Sequence, residues 1–171
     1  MVFGTVGRLF WVVGVVMFGV LMCNTAAADG VKTLTLSEAL SQVELFSGLT
    51  EAERDALKSA ATLRHGKTGE RIIEQGKIQG RMFIILDGRA EIRVNGTYLL
   101  TLSGQPLVGE IEFLDMLPAT ADVILLSDTH IIELNNTALT ALMEKQPRMG
   151  YVLMREIAGI EARRLRKSAT K

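Results

Sequence analysis

Between Leu63 and Leu134 the apolar residues come in short runs, each ended by glycine, asparagine or aspartate. Runs of that length are too short for a helix to bury a face, but they suit strands of a half-buried sheet. The candidate strands are 61–64, 71–74, 81–86, 89–94, 97–102, 121–126 and 130–134. In Ala90-Glu91-Ile92-Arg93-Val94 the alternation is strict, with one face wet and one buried. Asn95-Gly96 follows between two strands, the dipeptide of a type I′ hairpin, whose two central residues need positive φ. Asp87-Gly88 is a second break of this kind. Seven or eight short strands with frequent turns predict a mostly β fold, a barrel or sandwich, with helices confined to its flanks.

The flanks carry the helical period. Leu36, Leu40 and Val43 share a face, predicting a helical turn or two over 37–43. Thr50-Glu51-Ala52-Glu53 has the form of a capping box and opens a helix over 50–60. Asn136 is read as the cap of a helix over 137–145, which Pro147 ends. A longer helix over 148–167 presents Met149, Leu153, Ile157 and Ile160 on one face, at successive spacings of four, four and three. That stripe is available to cover the sheet, to dimerise or to dock a partner protein. The last turn, Arg163-Arg164-Leu165-Arg166-Lys167, reads as a solvated helix end whose charges complement the helix dipole.

The chain has 171 residues and carries 19 Lys+Arg against 19 Asp+Glu, which fits one domain and gives no net positive field to attract nucleic acid or an anionic membrane. The first 28 residues are unlike the rest. They hold one charge, Arg8, together with the only cysteine, Cys23, and the only tryptophan, Trp11. Residues 9–23 are unbroken apolar sequence, and Ala26-Ala27-Ala28 follows. A positive residue, an apolar stretch and an A-x-A site compose a secretory signal peptide, with cleavage expected after Ala28. Two other readings stand beside it. As a helix rising about 1.5 Å per residue, 9–28 just spans a hydrocarbon core of about 30 Å and would anchor the chain in the inner membrane. A lipoprotein signal ending at Cys23 would need a small residue where Met22 stands. The organisation expected is thus signal peptide or anchor over 1–28, linker and short helix over 29–41, a folded domain over 42–167 and a tail over 168–171, with the domain exported to the periplasm or beyond.

Catalytic chemistry finds little support. The domain has no cysteine, hence neither a disulfide framework nor a thiolate metal site. His65 and His130 lack ligand spacing in the sequence and read as surface or edge histidines, so no metal site is expected. No phosphate-binding glycine loop or nucleophile elbow is present, and an enzyme is not expected. The informative stretch is 107–123, where a glycine, a short helical turn with Glu110, Glu112 and Asp115, and Pro118 interrupt the strands. Free amides beside a glycine at such a turn can cradle a phosphate, and a neighbouring carboxylate can accept a sugar hydroxyl.

This stretch resembles the phosphate-binding cassette of the cyclic nucleotide-binding domain family, G-E-[LI]-x-x-[LF] followed by P-R-[AST]-A-x-V. Gly109-Glu110-Ile111, Phe113-Leu114, Pro118, Thr120-Ala121 and Val123 match in order. Leu45-Phe46-Ser47-Gly48-Leu49, the segment from Gly69 to Gly76, and Phe83-Ile84-Ile85-Leu86-Asp87-Gly88 resemble further family elements, so the likeness covers about residues 42–166. It implies a jelly-roll β-barrel with an N-terminal helix and C-terminal helices, binding a cyclic nucleotide (cAMP or cGMP) through Gly109, Glu110, Ile111, Thr120 and Ala121. The resemblance also implies that the final helix closes over the base.

Three departures limit what carries over. Ala119 stands where the family has the arginine that pairs with the cyclic phosphate. Losing such a charge pair should cost about 2–5 kcal/mol, or about 30-fold to several thousand-fold in affinity. Arg81 and Arg89 are candidates to replace it, and arginine-less cassettes also occur in the Popeye-domain branch of the fold. At Ser103-Gly104-Gln105-Pro106 the usual G-x-G is displaced. Finally, no helix-turn-helix follows the long helix, so a DNA partner is not expected. The expected function is that of a non-catalytic sensory module with weakened nucleotide binding. The alternative is a degenerate fold retained as an exported interaction or dimerisation scaffold.

Overall fold

A computed structural model describes residues 33–170, and the segment expected to be a signal peptide or anchor lies outside them. Thr35 opens α1 (Leu36–Gln42) and Thr50 opens α2 (Glu51–Leu57), each through a capping box. The threonine hydroxyl accepts the amide of Glu38 or Glu53, and that glutamate's carboxylate accepts the threonine amide. Both contacts satisfy donors that a helix start leaves open. A 3-10 turn, Glu44–Phe46, joins the two helices.

Eight strands follow: β1 (Ala61–Gly66), β2 (Arg71–Ile73), β3 (Arg81–Ile85), β4 (Ala90–Val94), β5 (Thr97–Leu102), β6 (Leu107–Val108), β7 (Asp122–Leu125) and β8 (Thr129–Asn135). They pair antiparallel into two four-stranded sheets, β1-β8-β3-β6 and β2-β7-β4-β5. This is the expected jelly roll. At the predicted hairpin Asn95 and Gly96 have φ of 50° and 76°, and Val94 pairs with Thr97. From the sequence alone 107–108 falls inside a break. The structure makes it a strand on β3, with Phe83 opposite Val108 and Ile84 opposite Leu107. Two residues carry no period, so pairing alone defines β6.

Strand β3 shows how the layers are built. Met82, Phe83, Ile84 and Ile85 are all buried, because both faces of the strand are covered. By alternation, Phe83 and Ile85 face the space between the sheets with Ile73, Val108, Val123, Leu125 and Ile131. Met82 and Ile84 face the helical layer with Leu40, Phe46, Leu57, Ile132 and Leu134.

Three more helices complete the domain: α3 (Glu110–Asp115) between β6 and β7, then α4 (Asn136–Lys145) and α5 (Pro147–Ala169). Asn135, not Asn136, caps α4, its side-chain oxygen accepting the Ala138 amide at 2.9 Å. The register moves by one because β8 runs on to Asn135 and the helix starts directly from it. Pro147 sits at the first position of α5, where its missing N–H removes no helical bond. The predicted stripe lies in the core: Met149, Leu153 and Ile157 are buried among the helices and the first sheet, with Ile160 packed against them.

Candidate functional site

The β6–α3 junction is set by Gly109. Its φ is +83°, and a Cβ there would stand 2.7 Å from the Arg81 carbonyl oxygen on β3 and 3.3 Å from Met82 Cα. Positive φ and close backbone approach both require glycine. The chain then turns directly into α3, so that Glu110, the first helical residue, points inward.

Glu110 is 3% exposed. One of its carboxylate oxygens, Oε1, accepts from the Arg164 guanidinium of α5 in an ion pair. Arg164 also donates to Glu161 Oε1 at 2.8 Å and to the Leu107 carbonyl oxygen at 2.6 Å. The other Glu110 oxygen, Oε2, is buried with no hydrogen-bond partner among the described residues. Burial raises the carboxyl to about 7 and the Glu161 charge adds to this, while Arg164 works in the opposite direction.

The three acids grouped in the sequence divide into three roles. Glu110 faces Arg164. Glu112, also buried, accepts the amides of Gln79 and Gly80 at 2.8 and 2.6 Å, tying the β2–β3 loop to α3. Asp115 accepts the Leu117 amide at 2.9 Å and shapes the turn out of the helix. Glu112 satisfies backbone donors that would otherwise be left unpaired.

The second half of the cassette enters β7. Ala119 donates its amide to the Lys77 carbonyl and accepts the Gly76 amide, at 2.9 and 2.8 Å, and packs against the cluster between the sheets. Gly109 approaches the same cluster at Ile73. Both halves of the cassette therefore border one interior. Thr120 is exposed, Ala121 is half-buried and Ile111 is exposed on α3. Two open grooves of about 460 Å³ lie elsewhere, one beside Ala60, Arg81 and Glu133, the other beside Ile78, Glu112 and Met116.

Of the two arginines considered from the sequence, Arg81 has its guanidinium engaged outside 107–123. Arg81 pairs with Glu133 at 3.0 Å, and Arg89 lies in the β3–β4 turn, its amide bonded to the Ser127 hydroxyl. The cation at the site is Arg164, within the run read as a solvated helix end. Its 57-residue separation from Leu107 leaves no local signal, although Glu161 one turn earlier marks that face of the helix. In the entering loop the displaced glycine leaves Gln105 at φ +57° beside Gly104 at +75°.

Residues 63–146 match the family model described as the cyclic nucleotide-binding domain. This stretch belongs to the cyclic nucleotide-binding domain family. Over 115 residues, 67% of the chain, it is 32% identical to a Pycsar effector protein of Xanthomonas perforans, covering 36% of that protein. Over 85 residues, 50% of the chain, it is 29% identical to a cGMP-dependent protein kinase of Plasmodium berghei, covering 10% of it. The chain thus spans about a third or less of these curated relatives. The catabolite activator protein of Thermus thermophilus superposes with a TM-score of 0.60 at 26% identity, over 74% of this chain and 60% of that one. Gly109, Glu110 and Ala119 all lie within the matched residues of this cyclic nucleotide-binding domain.

The fit of a cyclic nucleotide is uneven. A buried carboxylate oxygen without a partner suits a sugar hydroxyl, since an unmet buried acceptor costs about 1–3 kcal/mol. Beside it, Thr120 is exposed, and position 119 is an alanine that brings no side-chain cation.

Proposed function

We propose that this chain is a non-catalytic regulatory module that binds a cyclic nucleotide weakly. The observation that carries this reading is Glu110, whose buried Oε2 has no partner among the described residues. A ribose hydroxyl is the donor that this oxygen suits, and Gly109, Ile111, Thr120 and Ala121 would hold the phosphate through amides and one hydroxyl. The kinase relative is named for cGMP, which supports a purine cyclic nucleotide. Arg164 on the Glu110 carboxylate supplies a way to report binding. A ligand hydroxyl joining that carboxylate changes the contact by which α5 meets the cassette, and α5 carries the signal.

Titration calorimetry of the full-length protein with cAMP and with cGMP tests the reading. Heat that saturates at micromolar to millimolar ligand and disappears in Glu110→Ala supports it. No heat at millimolar concentration of either ligand would sink it.

A second reading keeps the fold as an interaction scaffold without nucleotide. It is favoured by Arg164, which meets the Glu110 charge from within the chain. The stripe first considered for dimerisation is buried in the domain, so this reading would use the outer face of α5, where Tyr151 and Leu165 are exposed. Light scattering that gave a monomer would count against a dimer.

We also propose that the domain works outside the cytoplasm, on the strength of the 1–28 segment. Mass spectrometry of the mature N-terminus should find Asp29 first; a retained apolar segment would indicate an anchor.

A further inference from the structure

His65 and His130 are the chain's two histidines, and the first sheet sets them opposite one another on β1 and β8. The His130 carbonyl accepts the Leu86 amide at 2.9 Å, and its N–H donates to Asp87 Oδ1 at 2.8 Å. Both backbone groups of His130 therefore point away from β1. Facing β1, the pair is of the non-hydrogen-bonded kind, in which opposed side chains stand closest. The ring centres are 5.3 Å apart and the planes 87° to one another. His65 is exposed, and the His130 side chain is 38% exposed.

The His130 ring is held from behind. Its Nδ1 lies 3.1 Å from Asp87 Oδ2, and Nδ1–H donation to that carboxylate leaves Nε2 as a lone-pair donor. Asp87 is fixed in turn, because Oδ1 accepts the Thr129 hydroxyl at 2.6 Å as well as the His130 amide. The turn is tight here: a Cβ on Gly88 would stand 2.5 Å from Thr129 Cβ.

We propose that His65 and His130 form a two-imidazole chelate for a divalent transition-metal ion of the zinc, copper and nickel class, with Asp87 as the positioning residue. Imidazole suits these ions, whereas calcium and magnesium prefer oxygen ligands. With metal–nitrogen bonds of about 2.0–2.1 Å the ion lies about 3.2 Å from each ring centre, and a tetrahedral angle then separates the centres by about 5.2 Å. The observed 5.3 Å puts the two rings within that reach, in an edge-on arrangement from which small ring rotations would aim both nitrogens at one ion. Among the described residues no three ligating side chains converge, so water fills the remaining positions and the ion is exchangeable. The ion would join β1 to β8 at the end of the sheet where the helical layer leaves both rings in solvent.

The test is a copper(II) titration of the full-length protein carrying Cys23→Ser, which removes the only thiol, read by electron paramagnetic resonance and by competition with zinc. One equivalent should bind with hyperfine coupling to two imidazole nitrogens and be displaced by excess zinc. His65→Ala and His130→Ala should each abolish the two-nitrogen signature and weaken binding at least about 10-fold. Asp87→Asn should keep both nitrogens and weaken binding about 10–100-fold. Binding that survives either histidine replacement unchanged, or a bound ion without two imidazole nitrogens, would overturn the chelate. An unaltered Asp87→Asn would overturn the positioning role.

Discussion

Glu110 at the start of α3 and Arg164 near the end of α5 form an ion pair that fastens the last helix to α3. Glu110 is buried and Arg164 is about one-third exposed, so the pair joins the interior of the roll to its surface. Arg164→Ala removes the positive charge that opposes the effect of burial on Glu110. It should destabilise the domain by about 1–3 kcal/mol, below the range for fully buried pairs because Arg164 reaches solvent. Urea denaturation checks this. The double variant with Glu110→Gln should recover part of the loss, whereas additive effects would mean that the two residues are not coupled.

The pH dependence of this group runs opposite to the usual carboxylate. Glu110 titrates at about 7 in the folded protein against an ordinary value of 4.5. Between those values the folded state holds the extra proton. The contribution of Glu110 to stability is therefore complete below about pH 4.5 and is lost as pH rises through about 7. Glu70 and Asp128, held below their ordinary values, act in the other sense as pH falls. Comparing urea midpoints at pH 5 and pH 8, Glu110→Gln should gain on the wild type at the higher pH. Parallel profiles for the two proteins would contradict a buried, charge-averse Glu110.

If Ala119 is what weakens the phosphate side, restoring the cation should strengthen it. Ala119→Arg is expected to raise cyclic-nucleotide affinity by about 30-fold or more, the inverse of truncating a buried charge pair. Calorimetry on the two proteins decides it. An unchanged affinity would move the limiting interaction elsewhere in the cassette.

Gly109→Ala tests the backbone geometry. The residue would have to hold φ +83° with its Cβ 2.7 Å from the Arg81 carbonyl. Left-handed backbone alone costs about 1–2 kcal/mol, and the clash with β3 backbone adds to that. A loss of at least about 2 kcal/mol in a denaturation curve is expected, together with loss of nucleotide binding.

Gln105→Gly is the converse case. Gln105 already sits at φ +57°, so glycine should relieve strain. A gain of about 0.5–1 kcal/mol is expected after the entropy that glycine adds to the unfolded chain. A measured loss would mean that the glutamine side chain contributes to the loop.

Most of the architecture is legible in the chain because it is written in short-range patterns. The alternation in 90–94, the Asn95-Gly96 turn, the Thr50–Glu53 capping box and the period of the last helix each depend on neighbours within a few residues. Where the sequence reading failed, the deciding partner is distant. Strand β6 exists only through β3, and α4 takes its cap from the residue at which β8 ends. The basic end of α5 looked solvated because nothing near it in sequence called for a buried carboxylate.

Apart from β6, the order of strands and helices was thus determined by the sequence alone, since it rests on local period and turn chemistry. Which charges meet was decided by tertiary structure. Folding carries Arg164 across 54 positions to Glu110 and places His65 beside His130 across a strand register. Electrostatic and metal-binding chemistry acts over a few ångströms in space, and separation along the chain holds no record of that distance.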